Sequence, residues 1–139
     1  MNDVLIDLLR EVSSNFLERL LEMSSIEELK LAPFQARLLS VIGRYPAISQ
    51  LTMAKTTGRD KAQVARAIKE LERRGFVVRS VHETDWRTQC LDLTEEGKRA
   101  AALLDREREA LITKALSECS AEEQDALCRS LQKINRSIG

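Results

Sequence analysis

Apolar residues along this chain fall into two rhythms. Leu5, Leu8, Val12, Phe16, Leu20 and Met23 recur every three or four positions, one stripe of an amphipathic helix that Asp3 is placed to cap. The stripe weakens around Ser24 and Ser25, which predicts a link running to about Leu31. Pro33 suits the first position of a second helix, with Phe34, Leu38, Leu39 and Ile42 as its buried side and an end between Gly43 and Pro46. Ser49 is placed to cap a short third helix carrying Leu51, Met53 and Ala54, which stops at Thr57-Gly58. Asp60 opens a fourth, with Gln63 three positions on at capping-box spacing. Its inner face is Val64, Ala67, Ile68 and Leu71, and Arg73, Arg74 and Gly75 mark its C-terminal end.

The period then shortens. Phe76 to Val81 is rich in β-branched residues, and Thr88 to Leu93 alternates, which predicts two strands of a hairpin around the polar loop His82 to Arg87. Thr94 caps a fifth helix bearing Ala100, Ala101, Leu104, Leu111, Ile112 and Ala115. Ser120 and Glu123 form a capping box for a last helix with Leu127, Leu131, Ile134 and Ile138. The predicted order is four helices, a β-hairpin and two helices: a mainly α fold in a single domain over 1–139.

With 139 residues and 43% hydrophobic content the chain can build one core without disulfides. Its five glycines and two prolines fit a mostly helical chain. The longest apolar run, Ala100 to Leu104, is far short of the ~20 residues of a membrane helix. Residues 1–10 carry Asp3 and Asp7 and lack a basic start followed by a long apolar core, so the expected compartment is the cytoplasm. Cys90, Cys119 and Cys128 are odd in number and their spacing suits neither a disulfide framework nor a metal site. His82 stands alone, and no cofactor or metal is expected. Hydrolase, phosphate-loop and zinc-protease motifs are missing from the sequence, which speaks against an enzyme.

Net charge is zero, yet unevenly spread. Residues 1–30 carry −4 and residues 55–87 carry +4, the latter from nine basic and five acidic side chains. A local basic patch is the footprint of a polyanion partner or a solvated helix face. The element order decides between them. A short helix, a glycine turn, a second helix and a hairpin make a winged helix-turn-helix, whose second helix enters the DNA major groove. At about 100° per residue, with Val64 facing the core, Ala62, Arg66, Lys69 and Arg73 lie within roughly 40° of the opposite direction. Arg66 is best placed to reach a base edge, ideally guanine. Lys61 and Gln63 sit near the entering end, and Arg73 is far enough back to meet phosphate.

These residues resemble the MarR family of bacterial transcription regulators. The likeness rests on Leu31-Ala-Pro-Phe-Gln-Ala-Arg-Leu-Leu39, Ile48-Ser-Gln-Leu-Thr-Met-Ala54, Leu71-Glu-Arg-Arg-Gly75, Asp85-Trp-Arg87 and Leu93-Thr-Glu-Glu-Gly97. It covers about residues 31–97, and the order and spacing of the segments carry it rather than any one of them. It implies a homodimer, with 1–30 and 98–139 as dimerisation helices and 31–97 as the winged helix-turn-helix. It implies a wing in which Arg87 enters the minor groove and Asp85 holds the wing in shape. It also implies a near-palindromic operator in double-stranded DNA, repression of a promoter, and relief by a small aromatic acid or phenol whose binding residues remain unknown.

Some positions depart from the family pattern. Ala32 replaces a hydroxyl cap, at about 1 kcal/mol. Asp60 stands where serine is common and sets a carboxylate near phosphates. Ser80, Val81, His82 and Glu83 stand where the wing often carries arginines, and Trp86 is unusual at its tip. Two alternatives stay open. Asp60, Glu70, Glu83 and Asp85 would suit a winged helix used for protein contact. The cysteines would suit a redox-sensing regulator, although the first helix, where family sensors place the thiol, has none and buried inert thiols are expected. Cys128 is expected beside the dimer seam.

Overall fold

A computed structural model describes residues 2–81 and 89–139, without the side chain of Ser24. Its elements are α1 (Asn2–Leu21), α2 (Ser24–Leu29), α3 (Pro33–Arg44), β1 (Ile48–Ser49), α4 (Gln50–Thr57), α5 (Lys61–Arg73), β2 (Val77–Val81), β3 (Gln89–Leu93), α6 (Glu95–Ala115) and α7 (Ala121–Ile138). The chain divides into two compact units, 1–107 and 108–139.

The core lies wholly in the first unit. Leu38, Leu39 and Ile42 of α3, Met53 of α4, Val64, Ile68 and Leu71 of α5, Leu91 of β3 and Leu104 of α6 are almost fully buried and form one cluster. Their spacing of three and four along α3 and α5 gives each helix one apolar face, and these faces meet across the sheet residue Leu91. Fully burying such a side chain stabilises by about 1.5–3 kcal/mol, so this cluster fixes how α5 is held.

The ends of these helices follow local chemistry. Ser49 Oγ accepts from Thr52 N–H at 3.1 Å and caps α4. Gly58 closes α4 in the left-handed region at φ +68°, where a side chain is strained. Asp60 Oδ1 accepts from Gln63 N–H at 2.9 Å and caps α5. At the far end of α5, Gly75 N–H reaches Glu72 O and Phe76 N–H reaches Leu71 O. With Gly75 at φ +81° this is a Schellman motif, completed by apolar Phe76 and Leu71. Thr94 Oγ1 accepts from Gly97 N–H at 3.0 Å and donates to Gly75 O, so the start of α6 is tied to the end of α5. Ser120 and Glu123 exchange both bonds of a capping box at the start of α7.

The structure corrects the sequence reading at several points. A third strand, β1, pairs antiparallel with β3, giving the order β1-β3-β2 with Ile48 opposite Leu91 and Val77 opposite Leu93. Two residues are too few to show an alternation. The predicted link after Ser25 contains the short helix α2, which ends at Lys30 in the left-handed region. Asp3 lies inside the first turn of α1 rather than before it, still where a carboxylate suits the helix dipole. Leu51 is exposed, as is Ile112, while Phe34 and Ala67 are only half-buried. Ala32 cannot cap α3 with a side chain, but Gln35 Oε1 accepts its N–H at 2.9 Å and restores part of the loss.

Arg74 links α2 to α5. Its guanidinium donates to Lys30 O at 2.8 Å and Leu29 O at 2.5 Å, the orphan carbonyls at the end of α2, and lies over the Phe76 ring at 5.1 Å. Arg74→Ala is expected to lower stability by about 1–2 kcal/mol through those lost bonds. A urea titration reads this as a lower midpoint at unchanged slope.

Candidate nucleic-acid interface

The face of α5 opposite Val64, Ile68 and Leu71 carries Ala62, Arg66, Lys69 and Arg73, and Lys61 and Gln63 stand beside it at the helix start. Lys61, Ala62, Gln63, Arg66, Lys69 and Arg73 are all exposed on one 13-residue helix. The arrangement follows from the periodicity: three fully buried side chains anchor one side, so positions two or five residues from them point outward. Asp85 and Arg87, together with His82, Glu83 and Trp86, lie outside the described residues.

The nine basic residues of the central stretch are not equivalent. Three are engaged internally. Arg74 holds the carbonyls of α2. Arg79 Nε donates to Glu72 Oε1 at 2.6 Å and its Nη1 to Gln89 Oε1 at 3.1 Å, pinning β2 against α5 and β3. Arg73 makes a two-pronged ion pair with Glu70, its Nε at 2.9 Å from Oε2. Lys55, Lys61, Arg66 and Lys69 are exposed and, among the described residues, have no ion-pair partner. Arg59 is exposed and lies over the Phe34 ring at 4.8 Å. Sequence reasoning missed Arg59, because its ring partner is 25 positions away.

The Glu70 carboxyl is held below the usual carboxylate range, first by the hydrogen bond from Arg73 and then by the charges of Arg73 and Arg74. The Arg73 guanidinium is raised by the same pairing. A depressed carboxyl adds stability above its unfolded pKa and loses it as pH falls through the folded value. This pair is solvent-exposed, so its contribution to folding is small. Its consequence is local: Arg73 already has an anion.

A shallow groove of about 290 Å³ runs between the start of α3 and α5, lined by Phe34, Gln35, Arg59, Gln63 and Arg66, with no acidic side chain on its walls. Among the described residues, no three His, Cys, Asp or Glu side chains come together as metal ligands, and no helix is long and apolar enough to cross a membrane. Of the cysteines only Cys90 is buried; Cys119 is half-buried and Cys128 is exposed, against the expectation of three buried thiols.

The sequence pattern of the MarR family matches residues 29–87. An HTH-type transcriptional regulator of Bacillus subtilis, YybA, is 34% identical over 95% of this chain and 89% of its own length. The chain belongs to the MarR family. Solved MarR-family structures extend the likeness through the flanking helices. A putative MarR family regulator from Listeria monocytogenes, crystallised with a 26mer DNA, superposes with a TM-score of 0.83 at 27% identity, over 99% of this chain and 90% of that one. The transcriptional regulator SlyA gives 0.81 at 28% identity, over 95% and 94%. The winged-helix fold expected from the helix and hairpin order is therefore the observed one, and this MarR-family chain is a transcription regulator rather than an enzyme.

Proposed function

We propose that this chain is a homodimeric, sequence-specific DNA-binding repressor that lays α5 in the major groove of a near-palindromic operator. One observation carries the reading: Arg66 and Lys69 stand exposed, with no ion-pair partner among the described residues, on the side of α5 opposite its three fully buried anchors. The Listeria relative crystallised with DNA supports it. In this reading Arg66 contacts a base edge, Lys61, Ala62 and Gln63 meet the groove at the helix start, and Lys69 and Arg73 meet phosphate. Arg87 of the wing enters the minor groove, with Asp85 orienting it.

Exposed apolar rows support the dimer. α1 presents Val4, Leu5, Ile6, Leu8, Leu9 and Val12, and α7 presents Leu127, Leu131, Ile134 and Ile138, with no buried residue on either helix. Helices with such stripes bury them against a partner. The whole chain is then one MarR-like domain, with 1–30 and 98–139 forming the dimer and 31–97 reading DNA in the cytoplasm. A small aromatic acid or phenol would relieve repression only by binding one spacing of the two α5 helices better than the other.

Titration of duplex DNA at several salt concentrations tests the reading. Each phosphate neutralised contributes about −0.9 to the slope of log K against log salt. A steep negative slope is expected, and a salt-independent affinity would point to protein contact instead. Glu70→Gln sharpens the test. It removes the anion now paired with Arg73, so affinity is expected to rise by a few-fold and the slope to steepen by up to about 0.9 per protomer. An unchanged slope would take Arg73 out of the phosphate contacts.

A further inference from the structure

We infer that Arg59 clamps a phosphodiester of the bound duplex, and that the ring of Phe34 sets it in place; this rests on the DNA-binding reading above. Arg59 lies between the left-handed Gly58 and the capping residue Asp60, so its backbone is fixed at the mouth of α5. Its guanidinium lies over the Phe34 ring at 4.8 Å, and Phe34 is half-buried against the core cluster. A ring contact engages the face of the guanidinium and leaves its N–H edge for an anion. Among the described residues that edge has no carboxylate or carbonyl partner.

The surroundings favour an anion of phosphate size. Arg59 and Arg66 line the same groove of about 290 Å³ with the amides of Gln35 and Gln63, and no carboxylate shares it. The neighbouring Asp60 turns an oxygen to the N–H of Gln63 at 2.9 Å, so part of its charge is taken up by the helix end. A planar guanidinium donates two parallel bonds to the two free oxygens of a phosphodiester. Arg59 precedes α5 and stands off its outward row, where a helix lying in the major groove passes beside the sugar-phosphate backbone. Arg59 thereby supplies positive charge next to the position where Asp60 introduces a negative one.

The test uses the full chain, a random-sequence duplex, and the best duplex selected from that pool. Arg59→Gln is expected to weaken both by the same factor, roughly eightfold per protomer near 0.1 M salt, and to flatten the salt slope by about 0.9 per protomer. Phe34→Leu is expected to reproduce that loss, to add nothing in the Arg59→Gln background, and to be rescued by Phe34→Tyr. If Phe34→Leu does not fold, Arg59→Gln decides alone. An unchanged slope in Arg59→Gln, or a loss confined to one base position, overturns the clamp. Additive losses overturn the role of Phe34. Saturable binding of inorganic phosphate that Arg59→Gln abolishes would assign the groove to a free anion and overturn the duplex assignment. Failure of the unmodified protein to bind any duplex would instead defeat the proposed function itself.

Discussion

Arg66→Ala is expected to cost about 1–3 kcal/mol per protomer at a selected operator and to flatten the preference at one base position in each half-site. The side chain is exposed, has no ion-pair partner among the described residues, and sits five positions before Leu71 on a helix held by three buried anchors. Alanine is a strong helix former, so far-ultraviolet circular dichroism and thermal midpoint are expected to stay as they are. Lys69→Ala is the contrast: as a phosphate contact it weakens all sequences alike. A full panel of single-base operator variants measured against both proteins separates the two. If Arg66→Ala leaves the profile across variants unchanged, Arg66 does not read a base.

Leu131→Asp is expected to split the dimer and take DNA affinity with it. Leu131 is 45% exposed in the single chain and lies in line with Leu127, Ile134 and Ile138 at spacings of four, three and four. In a two-fold interface the substitution acts twice, removing two apolar contacts of about 1.5–3 kcal/mol each and placing two carboxylates in an apolar seam. The helix itself should persist, because the Ser120–Glu123 capping box is untouched. Light scattering on a gel-filtration column is expected to give one chain mass in place of two. Loss of the second half-site contact then removes the avidity that links the two halves of the operator. A variant that keeps its dimer mass would move the interface away from α7.

Much of the reading unit was legible because its signals are local. The apolar period of α5 placed Val64, Ile68 and Leu71 inward and therefore Arg66, Lys69 and Arg73 outward. Ser49, Asp60, Thr94 and Ser120 cap the helices they precede because an oxygen at that position meets an unpaired N–H. What escaped the sequence depends on distant partners. The charges of Arg59, Arg73, Arg74 and Arg79 look alike along the chain. Only the fold shows that Arg74 is spent on carbonyls 44 and 45 positions away and Arg79 on Glu72, while Arg59 lies over a ring that leaves its N–H edge open. β1 escaped because it is two residues long and owes its strand character to Leu91 and Cys90 across from it. Exposure of Leu51 and Cys128 escaped for a related reason: a short or terminal helix has too few buried positions to fix its facing.

The most direct measurement is selection of bound duplexes from a random pool by the purified full chain, followed by sequencing. Two α5 helices related by a two-fold axis should enrich inverted half-sites with centres about one DNA turn, roughly 34 Å, apart. Enrichment of a single unpaired half-site, or of no sequence at all, would contradict a dimer reading DNA through this face.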